Sequence, residues 1–202
     1  MEIPQAKIKA RQPDAAVEQA ARQQGLHPLL ARILASRPRP NNIAMQQMLE
    51  PKLNSLDHPL RMADMAKASA RLATAIINKE VIGIETDHDC DGQTSHAVLF
   101  CNLVHKFKHP EELVRSYIGH RLKEGYGLSD KVAQRILDDT PRPTLIITAD
   151  NGSADEPRIA RLAAANIDVI VTDHHQLPIA GPPQSAFACL NPTRADCEYG
   201  DP

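Results

Sequence analysis

Val81 to Gly92 reads V-I-G-I-E-T-D-H-D-C-D-G. Its first half is an apolar, β-branched run, the composition of a buried strand. Its second half sets Asp87, Asp89 and Asp91 on alternate residues and stops at Gly92. Alternate residues of an extended chain share a face, so three acids crowd together where the strand ends. Crowded carboxylates raise each other's pKa, and a divalent cation with oxygen ligands relieves the repulsion. The pattern D-x-D-x-D-G also opens a calcium-binding EF-hand loop, which needs a preceding helix and a bidentate Glu at its twelfth position. Counting from Asp87, that position is Val98, and a strand precedes the loop. A solvated acidic turn is the other ordinary explanation. A metal site beyond the end of a parallel strand accounts for more of the pattern than either.

Downstream, Thr94 to Phe107 carries Val98, Leu99, Leu103, Val104 and Phe107 at helical spacing, so strand, turn and helix begin a βαβ unit. Glu112 to Ile118 reads as the next strand. A glycine-punctuated loop follows, and Ser129 caps a helix through Leu137. Thr144 to Ala149 is a third strand, ending in Asp150-Asn151-Gly152, and Ala154 to Ala165 is a helix. Ile167 to Thr172 is a fourth strand, ending in Asp173-His174-His175. From Gln176 the chain reads as loop, with Pro178, Pro182 and Pro183. Upstream, Asp14 to Gln24 reads as a short helix with Asp14 as N-cap and Gly25 ending it. His27 to Ser36 is a compact apolar helix with an early Pro, and S-R-P-R-P-N-N breaks it. Met45 to Leu56 is a weaker segment interrupted by Pro51, and from Pro59 a helix of about five turns is expected. Its Met residues read as core packing.

The 202 residues suffice for one core with an appendage, and the expected division is 1–58, a helical and linker segment, and 59–202, an α/β domain with a doubly wound parallel sheet. The net charge of −2 gives no global basic field, although a local groove can be basic within a neutral chain. Aromatic residues are 3% of the chain, which argues against an aromatic platform for stacking bases. Cys90, Cys101, Cys189 and Cys197 form no C-x-x-C pair and fit reduced thiols in a cytosolic protein. No apolar signal core or membrane-length run is seen, so a cytoplasmic location away from membranes is expected.

Three strand ends thus carry acids or histidines, and sites in open parallel sheets form beyond the carboxyl ends of the strands. Each motif alone is weak: D-N-G is a common turn, and D-H-H is also an ordinary polar loop. Together, Asp89, Asp91, Asp150 and His174 supply carboxylates and imidazole, a set that suits Mn²⁺ better than Ca²⁺ or a structural zinc. The number of acids points to two ions with a shared carboxylate, the arrangement that stabilises both attacking and leaving oxygens in phosphoryl displacement. Adjacent histidines on a regular strand do not both face one metal. One as ligand and the other toward substrate is the natural division.

D-H-D-C-D-G, A-D-N-G and T-D-H-H, in this order, resemble the first three motifs of the DHH phosphoesterase superfamily. Within it the chain is most similar to the RecJ-type single-stranded-DNA exonucleases. H-P-L-L-A-R-I-L-A-S-R at 27–37, R-L-K-E-G-Y-G-L-S at 121–129 and L-N-P-T-R-A-D-C-E-Y at 190–199 extend the likeness over roughly residues 25–202. The resemblance implies a hydrolase that degrades single-stranded DNA from its 5′ end with Mn²⁺ or Mg²⁺, in repair and recombination, alongside single-strand-binding protein and other repair factors. It implies Asp89 and Asp91 as metal ligands, with Asp87 as ligand or support. It implies Asp150 bridging two metals, His174 as ligand, and His175 on the scissile phosphate or otherwise aiding catalysis. Asp173 would orient the histidines.

Arg121 and Lys123 are phosphate-contact candidates and equally ordinary surface cations. Asn151 is a candidate for positioning water or phosphate. His88 stands where the family usually has an aromatic, and alternation turns it to the opposite face, so packing is the favoured reading. Cys90 replaces a usual small residue, and its acidic neighbours argue against a reactive thiol. His96, His105, His109 and His120 read as helix or loop histidines. The resemblance also implies a fourth motif with a further Asp ligand and a C-terminal substrate-binding domain. The sequence stops at Tyr199-Gly200-Asp201-Pro202, so an incomplete domain with little activity alone is expected. A phosphoesterase of short oligonucleotides, cyclic dinucleotides or pyrophosphate is the alternative enzyme. A non-catalytic nucleic-acid-binding remnant is the alternative outside catalysis.

Overall fold

A computed structural model describes residues 9–37, 52 and 56–199. The chain divides into two compact units, Met1–Leu56 and Asp57–Pro202. In the first, α1 (Ala15–Gln23) is capped by Asp14, whose Oδ1 accepts from the amides of Ala16 and Val17. Helix α2 (Pro28–Ala35) starts on Pro28, where a missing amide costs nothing. Among its described residues Ala21, Ala31 and Ala35 are buried, small enough to let two short helices approach closely. The Asp14 amide donates to the carbonyl of Ala35 at 2.9 Å, which ties the start of one helix to the end of the other. Apart from Lys52 and Leu56, the expected segment Met45 to Leu56 lies outside the described residues.

The second unit is an α/β domain with one five-stranded, wholly parallel sheet in the order β2-β1-β3-β4-β5. Its strands are β1 (Ile82–Thr86), β2 (Val114–Ile118), β3 (Leu145–Ala149), β4 (Asp168–Thr172) and β5 (Ala188–Leu190). The helices are α3 (Met65–Ile77), α4 (Cys90–Cys101), α5 (Asp130–Asp138) and α6 (Glu156–Ala164). Every residue of β1 and β3 is buried, as continuous apolar runs between two helical layers require. One face carries Ile82, Ile84, Leu145, Ile147 and Ile170, with Ala68 and Ala75 of α3 in the same core. The other carries Tyr117, Ile146, Val169 and Val171, with Val132 and Ile136 of α5 and Ile159 and Leu162 of α6. The order reverses between β1 and β3, and in open α/β sheets the ligand crevice lies at such a reversal, beyond the carboxyl ends.

Three elements differ from the sequence reading. The five-turn helix from Pro59 is a 3₁₀ turn at Pro59–Arg61 followed by α3. Asp64 interrupts it in a left-handed conformation (φ 62°), and its Oδ2 accepts from the Cys189 amide and from Arg194 Nη1. The helix expected from Thr94 starts earlier, at Cys90, because Asp89 caps it by accepting from the Gly92 amide. It continues through a π-helical turn at Asn102–Lys106, and Val98 and Phe107 are exposed while Leu103 is buried. β5 lies in the Pro-rich stretch read as loop, too short for any periodicity to show.

Candidate functional site

Each site residue follows from where a strand stops. β1 ends at Thr86, and the chain turns at once into α4, so Asp87, Asp89 and Asp91 are not on one extended strand. Asp89 is the N-cap of α4 and Asp91 stands in its first turn, where the positive end of the helix favours carboxylates. Gly92 permits the turn: a Cβ there would lie 2.3 Å from the carbonyl oxygen of Asp87. β3 ends at Ala149, and the next residue, Asp150, takes φ 68°, with Gly152 at φ 106°. Thr148 Oγ1 holds this turn by donating to the carbonyl of Asn151 at 2.8 Å. β4 ends at Thr172, so His174 and His175 lie off the strand and alternation does not separate them. Their ring centroids are 4.6 Å apart.

The three ends meet. Asp89, Asp91 and Asp150 each place a carboxylate oxygen within 4.8 Å of one another, and Asp150, His174 and His175 do the same with one oxygen and two ring nitrogens. Asp150 belongs to both groups. His174 Nε2 lies 3.0 Å from Asp150 Oδ1 and 3.9 Å from Asp91 Oδ2. Asp87 stands outside both groups. Its Oδ1 instead faces His88, 2.7 Å from the amide and 2.5 Å from Nδ1.

The electrostatics suit a cation. Burial first, and the charges of Asp91 and Asp89 after it, push the Asp150 carboxyl above its ordinary pKa, partly offset by the bond from His174. Asp89 is held below its ordinary value, first by a hydrogen bond shared with the Asp91 carboxyl and then by the Gly92 amide. Oxygen and imidazole donors without a thiolate make a set that fits Mn²⁺ or Mg²⁺. Cys90, although exposed nearby, belongs to neither group.

Asp173 is buried and organises the histidine loop. Its Oδ1 accepts from the amides of His174 (2.7 Å) and His175 (3.1 Å) and lies 2.8 Å from His175 Nδ1, while Oδ2 accepts from the Ser153 amide at 3.0 Å. Burial would raise this carboxyl, but the bonds from Ser153 and His175 outweigh it and hold the pKa low. Asp173 in turn raises the pKa of the His175 ring. With Nδ1 committed to Asp173, His175 keeps Nε2 for the crevice.

An open pocket of about 300 Å³ lies against this cluster, lined by Asp87, Tyr126, Asp150, Asn151, Asp173 and His175 among others. Arg121 is not among the lining residues, and its guanidinium lies 4.7 Å from the centroid of the Tyr126 ring, which is. Lys123 is exposed and is not among the lining residues. Asn151 lines the pocket through other atoms, since its amide nitrogen and oxygen are buried. His88 packs its ring against Tyr126, with centroids 5.5 Å apart.

Sequence reasoning passed over Ser153 and Asn191, which lock the histidine loop. Asn191 Nδ2 donates to Ser153 Oγ (2.8 Å) and to the carbonyl of His175 (2.9 Å). The L-N-P-T-R string contained the signal, but only the fold shows what the Asn holds. Glu85 was also passed over, inside the opening stretch itself.

Residues 79–200 match the model of the DHH family, N-terminal domain. The chain is 32% identical over 186 residues to the single-stranded-DNA-specific exonuclease RecJ of Bacillus subtilis, covering 91% of this chain and 22% of that protein. It is 33% identical over 174 residues to its namesake in Haemophilus influenzae, covering 86% and 28%. This chain therefore spans between a fifth and a third of these relatives. A crystal structure of exonuclease RecJ bound to manganese superposes with a TM-score of 0.54 at 30% identity, over 68% of this chain and 31% of that one. A RecJ structure with Mn²⁺ from Thermus thermophilus superposes with a TM-score of 0.62 over 94% of this chain and 25% of that one; at 21% identity this likeness speaks for the fold.

Proposed function

Because the chain belongs to the DHH family, we propose that it carries the metal-holding part of a phosphodiester hydrolase that degrades single-stranded DNA from the 5′ end, in DNA repair and recombination. The observation that supports this most is the sharing of Asp150 between two donor groups assembled from three strand ends. In this reading Asp89, Asp91, Asp150 and His174 would hold Mn²⁺ or Mg²⁺, with Asp150 common to both donor groups and Asp87 as ligand or support. Bound there, the ions supply Lewis acidity toward phosphoryl oxygens.

The chain's own residues do the rest. Asp173 fixes the His175 ring through Nδ1, which leaves Nε2 toward the crevice to contact the scissile phosphate. Arg121, beside the Tyr126 ring, and the exposed Lys123 supply positive charge for the DNA backbone. The pocket is lined by polar side chains and by the glycine-containing loop around Gly127. Single-strand-binding protein and other repair factors as partners, and a cytoplasmic location, belong to this same reading. Among the described residues no helix is long and apolar enough to cross a membrane.

Incubating the chain with 5′-labelled single-stranded DNA and Mn²⁺ tests the reading. Slow release of mononucleotides from the 5′ end by the wild type, and none by Asp150→Ala, is expected, since the chain spans about a quarter of its relatives' length. Preference for dinucleotides or pyrophosphate over long DNA would favour the small-substrate alternative. Mn²⁺ uptake without cleavage of any of these would favour a binding role.

A further inference from the structure

Glu85 lies in β1, an interior strand of the sheet, opposite Tyr117 of β2 and Thr148 of β3. It is 0% exposed, and neither carboxyl oxygen has a hydrogen-bond partner of ordinary geometry. The same holds for both polar side-chain atoms of Asn151, which is 7% exposed. The two side chains are neighbours, and the Asn151 amide is the group that most offsets the burial of the Glu85 carboxyl. A carboxyl placed in a sheet interior without partners lowers stability.

The four unpartnered atoms are complementary. Both Glu85 oxygens are buried without partners, and in its protonated form a carboxyl offers one O–H donor and one C=O acceptor. A primary amide offers one N–H donor and one C=O acceptor in the matching arrangement. Together the two groups can form a cyclic pair of hydrogen bonds. Asn151 is the middle residue of the turn between Asp150 (φ 68°) and Gly152 (φ 106°). A non-glycine residue in the left-handed region persists only when its surroundings over-determine it. The bond from Thr148 secures the backbone side of that turn, and Glu85 stands where it can secure the side chain.

We propose that Glu85 is a positioning residue that acts through the Asn151 amide to hold the Asp150–Gly152 turn, and with it the Asp150 carboxylate, in the geometry that takes Mn²⁺. This rests on the reading of the metal site given above. The test is calorimetric Mn²⁺ titration of the wild type, E85Q, E85M, N151A and E85M/N151A, with thermal melting in metal-free buffer. E85M is expected to melt no lower than the wild type, since an apolar side chain replaces a poorly partnered acid. It is expected to bind Mn²⁺ about tenfold more weakly, the usual scale for losing a residue that orients a ligand. E85Q, which can form the same cyclic pair, is expected to keep the affinity. N151A is expected to lose as much as E85M, and the double variant no more than either, because both substitutions break one linkage.

E85M or N151A binding Mn²⁺ as tightly as the wild type overturns the inference while leaving the site reading intact. Additive losses in the double variant also overturn it. A wild-type chain that takes up no Mn²⁺ overturns the site reading and this inference together. If E85M does not fold, the contrast between N151A and E85Q decides by the same criteria.

Discussion

His175 is the residue whose chemistry depends most on a neighbour. Asp173 raises its pKa above the ordinary 6.5, chiefly through the bond to Nδ1. In metal-free protein the pair therefore contributes stability that is fully present below pH 6.5 and is lost as the pH climbs through the raised value. Asp173→Asn removes the anion, so the His175 midpoint followed by NMR is expected to fall toward 6.5, and an unchanged midpoint would contradict the coupling. At this scale the sequence showed which residue types meet but misjudged how they meet. Alternation along a strand was applied to Asp87, Asp89 and Asp91, and to His174 and His175. Both strands stop before those residues, so alternation has no hold on them. That is why Asp87 ends beside His88, and both histidines end near Asp150.

The elements were legible wherever periodicity or a cap marked them. Ser129 accepts from the Val132 amide at the start of α5, and Asp14 does the same job for α1. The five-turn helix failed because nothing local in P-L-R-M-A-D-M reveals a left-handed Asp64. That conformation is held by Cys189 and Arg194, 125 and 130 residues away. The junctions that carry the site are tight. A Cβ at Gly92 would lie 2.3 Å from the Asp87 carbonyl oxygen, backbone that cannot move aside. Gly92→Ala is expected to cost about 1–3 kcal/mol in urea unfolding, the usual penalty for overpacking. At Gly152 a Cβ would lie 2.6 Å from Thr148 Oγ1, and the residue is also at φ 106°. Gly152→Ala is therefore expected both to destabilise the domain and to weaken Mn²⁺ uptake. Either alanine variant with wild-type stability would show that these junctions are looser than the packing indicates.

In the whole molecule, the sheet is clamped at the end remote from the site. Arg71 of α3 bonds Asp168 at the start of β4 (2.6 Å) and Glu80 just ahead of β1 (2.8 Å). Burial would raise the Glu80 pKa, but the bonds from Arg71 and Thr144 outweigh it and hold it below the ordinary 4.5. The stability this clamp supplies is thus present above pH 4.5 and lost as the pH falls through the depressed value. Arg71→Met is expected to lower the melting temperature at neutral pH and to flatten the acid limb of the stability profile. An acid limb identical to that of the wild type would contradict this role. The parallel α/β architecture was legible because three apolar runs, each ending in acids or histidines, alternate with helical patterns. β5 was not, since three residues in a Pro-rich stretch carry no pattern. The clamp and the Glu85–Asn151 pair were not legible either, because their partners come from distant stretches of sequence. The most direct measurement is Mn²⁺ uptake by calorimetry for the wild type, Asp89→Ala and Asp150→Ala. If Asp150 is shared between two donor groups, Asp89→Ala weakens uptake in part and Asp150→Ala abolishes it. Asp150→Ala binding Mn²⁺ as tightly as the wild type would contradict a site built around that carboxylate.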